Sequence, residues 1–357
     1  MVTVPAMEVL RPAACRASFL CFRVGTFAAD NKGGRVTSTI CVTGGSGFIG
    51  GHLVDLLVRQ GHRVRMLSRS ARPPKEGVTV VRGDLLSDVP TAFLEGADVI
   101  YHCAGEIADP SRMRPLHAGG TERLLGSAVA EVQASGRPLH WVQLSSVGAY
   151  GPLAECRRRE CVVTEEWPEV PVGEYEVTKT LSDRLVRDCS AREPRITATI
   201  LRPSNVFGPG MPNNSVRSLL KAMHKGWFFA IGRHEAIATY VHVDDVARAL
   251  LLCGTLTQAR GGTWILSNDC EFREIVAALA AAEKRRASSF RVPETLVRAA
   301  ARAARVFVRH PLSEERIDAM TRRVRYDSSG LLALGLPPLR DVPQAMVEFW
   351  RLDGRRP

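Results

Sequence analysis

No part of the sequence is apolar for long enough to cross a membrane, and no internal repeat or low-complexity tract is present. A membrane-spanning helix needs about 20 predominantly apolar residues in succession, so no integral membrane segment is predicted. The 357 residues include 45% hydrophobic and 24% charged side chains, which is typical of a soluble globular protein with a sizeable core. A chain of this length holds one large α/β domain, alone or with a smaller lobe.

Cysteine motifs for metal binding are also missing. The nine cysteines are an odd number, none forms a Cys-x-x-Cys pattern, and none adjoins a histidine cluster, so no metal site is predicted. The closest pair is Cys156 and Cys161. Cys41, Cys103 and Cys253 lie within apolar runs, where a thiol behaves as a small hydrophobic group. These features predict reduced cysteines and a cytoplasmic location.

Acidic residues are outnumbered by basic ones, and the formal net charge is +11. Such an excess favours anionic partners such as nucleotides or phosphates. Most of it is arginine scattered along the chain, so a nucleic-acid partner is not predicted. Residues 1–37 contain Arg11, Arg16 and Arg23 but few acids. We expect this stretch to be a poorly ordered N-terminal extension, with a transit peptide or a membrane-surface anchor as the alternative.

From Ser38 to about Ile200, short apolar runs alternate with helical patterns, as in βαβ units. Most of the runs are continuously apolar rather than alternating, which is typical of parallel strands buried on both faces. The pattern predicts an α/β fold with a Rossmann-type, doubly wound parallel sheet over residues 38–205. Residues 206–357 are expected to form mainly a smaller C-terminal substrate-binding lobe, with about 236–267 returning to the Rossmann domain. The predicted strands are Thr39–Thr43, Arg63–Leu67, Val78–Val81, Val99–His102, Leu139–Leu144 and Thr197–Leu201, and the predicted helices are Phe48–Arg59, Leu116–Val132 and Tyr175–Cys189.

The first predicted strand leads directly into a glycine-rich turn, Thr43–Gly50, that is followed by an apolar helix. In this strand, turn and helix context the motif predicts dinucleotide binding. Gly44 allows a tight turn, Gly47 lets the backbone approach the pyrophosphate, and Gly50 lets the helix pack closely on the strand. The helix N-terminus adds amide donors and a positive dipole end. The residues predicted to bind the cofactor here are Gly44, Ser46, Gly47, Phe48, Ile49 and Gly50.

The end of the second strand determines the cofactor preference. An acidic residue there would bind the ribose 2′-hydroxyl of NAD, but this sequence has Ser68-Arg69. A hydroxyl and a guanidinium suit a 2′-phosphate, so NADP(H) is favoured over NAD(H). The alternative is that Arg69 simply faces solvent. Asp84 follows the third strand, where a carboxylate can accept a hydrogen bond from the adenine amino group.

Tyr175 and Lys179 are four residues apart at the start of a predicted helix, which places both on one face. A phenol titrates near pH ~10, and a neighbouring ammonium lowers its pKa by favouring phenolate, with help from the nicotinamide charge. Ser146, at the end of the fifth strand, is suited to hold a substrate oxygen while Tyr175 moves the proton. These three are the predicted catalytic residues, and Tyr175 and Lys179 are also expected to contact the cofactor.

Six stretches, in order along the chain, resemble the extended branch of the short-chain dehydrogenase/reductase superfamily, the NAD-dependent epimerase/dehydratase group. They are Thr43–Gly50, Tyr101–Gly105, Leu144–Gly151, Tyr175–Lys179, Leu201–Gly208 and Tyr240–Ala247. The resemblance runs from about Thr39 to the C-terminus, and it implies that Ser146 rather than Ser145 is the catalytic serine.

The same resemblance implies further contacts with cofactor and substrate. Asn205 matches a residue that lies against the substrate diphosphate in nucleotide-sugar members. Ser146, Val147 and Asn205 are therefore expected to contact the substrate. The remaining cofactor contacts that the resemblance implies are Leu85, Cys103, Ala104, Gly105, Pro203, Asn205 and Val206.

The sequence departs from the family pattern at three places. His117 occupies the position of a family asparagine that precedes a Gly-Thr pair, and we expect this histidine to be solvated. Val147-Gly148 replaces the Asp-Glu pair of the family's 4,6-dehydratases, which argues against sugar dehydration because that reaction needs the carboxyls to move protons. Ile237-Ala238-Thr239 stands where many nucleotide-sugar members carry a diphosphate-binding arginine.

These observations predict an NAD(P)-dependent oxidoreductase that exchanges hydride with a secondary alcohol or ketone. The leading hypothesis, by resemblance, is a nucleotide-sugar epimerase or ketoreductase. The alternative is a hydroxysteroid- or dihydroflavonol-type enzyme acting on an apolar alcohol, with Trp227-Phe228-Phe229 lining its pocket. A non-catalytic NADP-binding redox regulator is a third hypothesis, against which the intact Ser146, Tyr175 and Lys179 argue. A homodimer is expected by resemblance alone.

Overall fold

Seven parallel strands form the central sheet. The computed structural model describes residues 38–153, 156, 160–232, 234–287, 290–304, 317–318 and 320–354, so the predicted extension over residues 1–37 lies outside the described residues. The strands of the sheet are β1 (Thr39–Thr43), β2 (Arg63–Ser68), β3 (Val78–Arg82), β4 (Val99–His102), β5 (Leu139–Leu144), β7 (Ile196–Pro203) and β11 (Thr263–Leu266). Their order across the sheet is β11-β7-β5-β4-β1-β2-β3. The chain runs outward from β1 to β3 and resumes at β4 on the other side of β1, which confirms the predicted doubly wound topology.

Shorter strands and eleven helices complete the described part of the chain. The remaining strands are β6 (Cys161–Val163), β8 (Asn205–Phe207), β9 (Ala230–Ile231), β10 (Ile237–His242), β12 (Asn268–Glu271), β13 (Arg291–Val292) and β14 (Val324–Tyr326). The helices are α1 (Phe48–Arg59), α2 (Thr91–Leu94), α3 (Pro110–Arg114), α4 (Thr121–Ser135), α5 (Glu174–Arg192), α6 (Ser215–His224), α7 (Val243–Thr255), α8 (Phe272–Ala282), α9 (Glu294–Ala304), α10 (Ser329–Ala333) and α11 (Val342–Phe349). A π-helical stretch, Pro115–Gly120, leads directly into α4, and a 3₁₀ turn, Val147–Tyr150, follows β5.

Helices cover both faces of the central sheet. On one face, Leu53 and Leu57 of α1 pack with Leu250 of α7 in one apolar cluster. On the other face, Leu124 of α4 and Val186 of α5 belong to a second cluster with strand residues. Because both faces are covered, β4 and β5 are buried along their whole length. This burial is the physical reason for their continuous apolar runs.

A smaller lobe with its own core is built from the C-terminal part of the chain. Its cluster joins Phe207 of β8, Leu220 of α6, Ile275 of α8 and Met346 of α11. Strands β12, β10 and β8 form a three-stranded sheet there. Residues 236–267 were expected to return to the Rossmann domain. Of this stretch, α7 packs on the central sheet and β11 is one of its edge strands, whereas β10 belongs to the smaller sheet.

Two of the cysteines form a disulfide. Cys156 and Cys161 are bonded in the segment between the 3₁₀ turn and β6, so the expectation of reduced cysteines is wrong for this pair. Their five-residue separation is short enough for a local loop to bring the sulfurs together. Five other cysteines are free: Cys41, Cys103, Cys189, Cys253 and Cys270. Among the described residues, no helix combines the length and the apolar character that a membrane span requires.

Candidate active site

The glycine-rich turn between β1 and α1 has the shape that a pyrophosphate needs. Gly44 has φ +66°, and a Cβ added to it would lie 2.6 Å from the backbone of Cys103 and Ala104. A Cβ on Gly50 would overlap the Gly44 carbonyl oxygen, which also accepts a hydrogen bond from Gly47 N at 2.9 Å. No side chain caps the first turn of α1. The amides of this turn are therefore not bonded by a capping side chain, and a helix N-terminus of this kind can bind a dinucleotide phosphate.

The rest of the predicted adenosine site lies at the carboxyl ends of β2 and β3. Ser68 is buried and donates its hydroxyl to Ser70 O at 2.8 Å, while Arg69 is exposed. No acidic residue stands at the end of β2. Asp84 accepts from Leu86 N at 3.0 Å through one carboxylate oxygen, and the neighbouring Leu85 is buried in the core. Ser68 thus stabilises its own loop, which leaves Arg69 as the group available to a 2′-phosphate.

Two of the predicted catalytic residues, Ser146 and Lys179, lie where β5 ends against α5, whereas Tyr175 lies in the first turn of the same helix and meets the His117 ring. Lys179, on the first turns of α5, donates its ammonium to the Leu144 carbonyl, the last of β5. One residue on, Ser145 donates its hydroxyl to Asp183 of α5 at 2.6 Å. Ser146 then caps the 3₁₀ turn by accepting from Gly148 N at 3.1 Å. The serine and the lysine are therefore attached to the same strand end.

The protonation of Tyr175 differs from the sequence-based expectation. Burial, followed by the negative charges of Glu176 and Asp183, raises the pKa of Tyr175 to about 12. Burial also lowers the pKa of Lys179, against which the Asp183 carboxylate acts. The predicted lowering of the Tyr175 pKa by Lys179 is not found, since Lys179 is not among the groups that shift this pKa and its ammonium bonds to Leu144 O. The protein groups around Tyr175 therefore favour its protonated form, which can donate a proton.

His117 is buried, so the expectation of a solvated histidine is wrong. Its Nε2 accepts from Glu106 N at 2.9 Å, and its Nδ1 lies 2.8 Å from Thr178 Oγ1. Because Nε2 is an acceptor, the hydrogen resides on Nδ1 and is donated to Thr178. The ring also meets the Tyr175 ring edge to face, with centroids 5.6 Å apart. Burial, with the charge of Lys179, lowers the pKa of His117 to about 3, which keeps it neutral. His117 therefore ties the loop after β4 to the helix that carries Tyr175.

A buried ionic cluster behind the site was not predicted. Arg202 of β7, only 1% exposed, lies 3.0 Å from Asp183 and also bonds to Glu169. Its guanidinium stands over the Tyr150 ring, 5.0 Å from the centroid. The signal in the sequence was an acid, Asp183, one turn beyond Lys179 on the inner face of α5. From the sequence alone, Asp183 cannot be distinguished from an ordinary helix residue, because its partner Arg202 lies on β7.

The predicted substrate contacts lie at the junction of the central sheet and the lobe. Asn205 is exposed on β8 and donates its amide to Thr239 O of β10 at 3.0 Å. Pro203 ends β7, and Val206 follows Asn205 on β8. Val147 is buried in the 3₁₀ turn after Ser146. These residues share the carboxyl edge of the sheet with Ser146, as ligand-binding residues of open α/β sheets do.

Comparison with known proteins agrees with a dinucleotide-dependent oxidoreductase class. The chain is 30% identical over 244 residues to the 3 beta-hydroxysteroid dehydrogenase/Delta 5→4-isomerase of Mycobacterium tuberculosis, across 64% of this chain and 62% of that protein's length. It is 29% identical over 245 residues to cinnamoyl-CoA reductase 2 of Medicago truncatula, across 62% and 70% of the two chains. The structure of UDP-glucuronic acid 4-epimerase from Bacillus cereus in complex with NAD has a TM-score of 0.65 and 18% identity, covers 88% of this chain and 96% of that one, and shows a shared fold.

Residues 40–264 match the model of the NAD dependent epimerase/dehydratase family. The chain belongs to this family, within the extended short-chain dehydrogenases/reductases. The match confirms the family predicted from the sequence.

Replacing His117 tests its role in joining the two segments. His117→Leu leaves the Glu106 amide and the Thr178 hydroxyl without their partner, so we expect the free energy of unfolding to fall by about 1–3 kcal/mol. His117→Gln can still accept from one group and donate to the other, and we expect it to lose less. Urea denaturation measures both. Equal stability of His117→Leu and the wild type would contradict the assigned hydrogen bonds.

Proposed function

We propose that the protein exchanges hydride with an apolar secondary alcohol or ketone, with Tyr175 as acid/base, Lys179 as its positioning cation and Ser146 as the group that orients the substrate oxygen. The observation that carries the substrate class is the start of β10. Ile237 and Ala238, at the place where a diphosphate-binding arginine would stand, are 4% and 1% exposed. Neither side chain can pair with a diphosphate, whereas an apolar substrate needs no cation there. The hydroxysteroid relative, at 30% identity, agrees with this class.

The proposed chemistry gives each of the three side chains one role. In the reducing direction, a reduced nicotinamide cofactor held at the glycine-rich turn would supply the hydride for the carbonyl carbon. The Tyr175 hydroxyl, held protonated by burial, donates its proton to the oxygen as negative charge develops there. The Ser146 hydroxyl donates a hydrogen bond to the same oxygen. Lys179, whose ammonium bonds to the last carbonyl of β5, holds the helix that carries Tyr175 against that strand. Oxidation of the alcohol is the reverse of these steps.

A nucleotide sugar is the second candidate substrate. Asn205 is exposed at the junction of the two parts of the structure, where an amide can contact a diphosphate. The solved structures that share the fold include proteins crystallised with UDP-sugars, but at this identity they support the fold alone. A cytoplasmic location and a homodimer stay predictions for either substrate.

The substrate class is tested by thermal unfolding with NADP(H) present. We expect steroids or flavonoids to raise the melting temperature and UDP- and GDP-sugars to leave it unchanged, because a ligand that binds the native state stabilises it. Stabilisation by the sugars alone would move the assignment to the second candidate.

With a stabilising ligand in hand, Tyr175→Phe should lower kcat by about 10²–10⁴-fold and leave cofactor binding intact. Tyr101→Phe is the matched control, since the Tyr101 hydroxyl has no hydrogen-bond partner among the described residues.

We further propose a preference for NADP(H). Arg69 is exposed at the carboxyl end of β2, with no acid beside it to bind a free 2′-hydroxyl. Arg69→Ala should therefore raise the Kd for NADPH about tenfold, which corresponds to about 1.4 kcal/mol, and leave the Kd for NADH unchanged. Arg63→Ala, at the opposite end of the same strand, is the control. Fluorescence titration measures both constants, and equal effects of the two substitutions on NADPH would contradict the proposal.

A further inference from the structure

Two loops of the lobe place exposed aromatic side chains among basic ones. Trp227, after α6, is 70% exposed, and Phe290, before β13, is 67% exposed. Exposed apolar side chains that lie close together, rather than singly, mark surfaces that bind a partner. We call this surface the Trp227 face and define it by Lys221, Lys225, Trp227, Lys284, Arg286 and Phe290.

Contacts between the lobe helices hold the two loops side by side. His224, in the last turn of α6, lies 2.6 Å from Glu283 at the end of α8. Trp350 donates its indole nitrogen to the same Glu283 carboxylate at 3.2 Å. On the other side, Phe290 O accepts from Ala230 N at 3.0 Å, three residues after Trp227. The aromatic and basic side chains of both loops therefore belong to one surface.

The side chains that define this face carry a positive charge. Lys221, Lys225, Lys284 and Arg286 are all exposed, and within the described part of the chain none of them forms an ion pair. Of the acids close by, Glu283 is paired with His224 and Arg285, Glu235 is paired with Arg291, and Glu274 accepts a hydrogen bond from Glu271 N. An anionic partner is thus favoured by complementarity.

The aromatic groups distinguish a lipid surface from a nucleic acid. The Lys225 ammonium lies over the Trp227 ring, 4.6 Å from its centroid, so one face of the ring is covered and not open to a stacked base. Phe290 lines a cavity of about 580 Å³ with apolar side chains, among them Phe228, Val276 and Ala277, and with four charged ones, Glu235, Arg273, Glu274 and Arg291. Tryptophan beside lysine suits the boundary between lipid headgroups and acyl chains.

We propose that the Trp227 face docks the protein on the surface of an anionic membrane, with Trp227 and Phe290 entering the headgroup boundary and the four basic side chains facing acidic lipids. The docking is independent of the proposed reaction. Neither Ser146 nor Tyr175 belongs to the residues that define the Trp227 face.

Sedimentation of the full-length protein with vesicles tests the proposal. We expect binding to phosphatidylcholine vesicles that contain phosphatidylserine, and at least tenfold weaker binding to pure phosphatidylcholine. Lys225→Glu/Lys284→Glu should weaken binding at least tenfold, because each basic side chain near an anionic surface strengthens binding about fivefold. Arg59→Glu/Arg63→Glu, with the same change of net charge in the Rossmann part, is the control and should bind as the wild type does.

Trp227→Ala/Phe290→Ala separates insertion from charge attraction. Both side chains are largely exposed, so we expect an unchanged melting temperature and at least tenfold weaker binding to the acidic vesicles. Failure of the wild type to bind them would overturn the proposal. The proposal would also be overturned if either variant of the Trp227 face bound as well as the wild type, even where residues 1–37 alone were responsible for that binding. Retention of single-stranded RNA without vesicle binding would identify a nucleic-acid surface instead.

Discussion

Asp183 is the carboxylate on which two buried cations depend. Arg202 reaches it from β7 at 3.0 Å, and Lys179 interacts with it from one turn earlier on α5. Ser145 donates to the same carboxylate from the end of β5. A buried cation without a counter-charge is strongly unfavourable, so Asp183 stabilises the packing of these elements, with Glu169 as a second partner of Arg202. Burial raises the pKa of Asp183, and its three polar neighbours act in the other direction.

The geometry of the site follows from that cluster. With α5 held against β5, the Lys179 ammonium reaches the last carbonyl of the strand and Ser146 begins the turn beyond it. His117 then connects the same helix to the loop after β4, close to the glycine turn. Helix α5 is thus held in two ways. Neutral hydrogen bonds of His117 join it to the loop after β4, and the buried charges of Asp183 and Arg202 join it to β7.

Much of the fold could be predicted because the central strands are buried on both faces and carry continuous apolar runs. β1, β4 and β5 have the predicted bounds, and α1 begins and ends where its apolar pattern does. His117 was misjudged because its burial depends on α5, a segment about 60 residues away. The Cys156–Cys161 disulfide and the Arg202–Asp183 pair likewise arise from tertiary packing, which periodicity does not encode. The residues of the glycine turn were predictable because their backbone requirement is local.

The stability of Asp183→Asn tests the account most directly. If the carboxylate neutralises two buried cations, its loss should lower the free energy of unfolding by about 3–5 kcal/mol. Asp188→Asn removes an exposed carboxylate from the same helix and should change stability by less than about 0.5 kcal/mol. Urea denaturation of both variants beside the wild type gives the comparison. A large loss confined to Asp183→Asn is the predicted result, and equal stability of the two variants would contradict the central role of this acid.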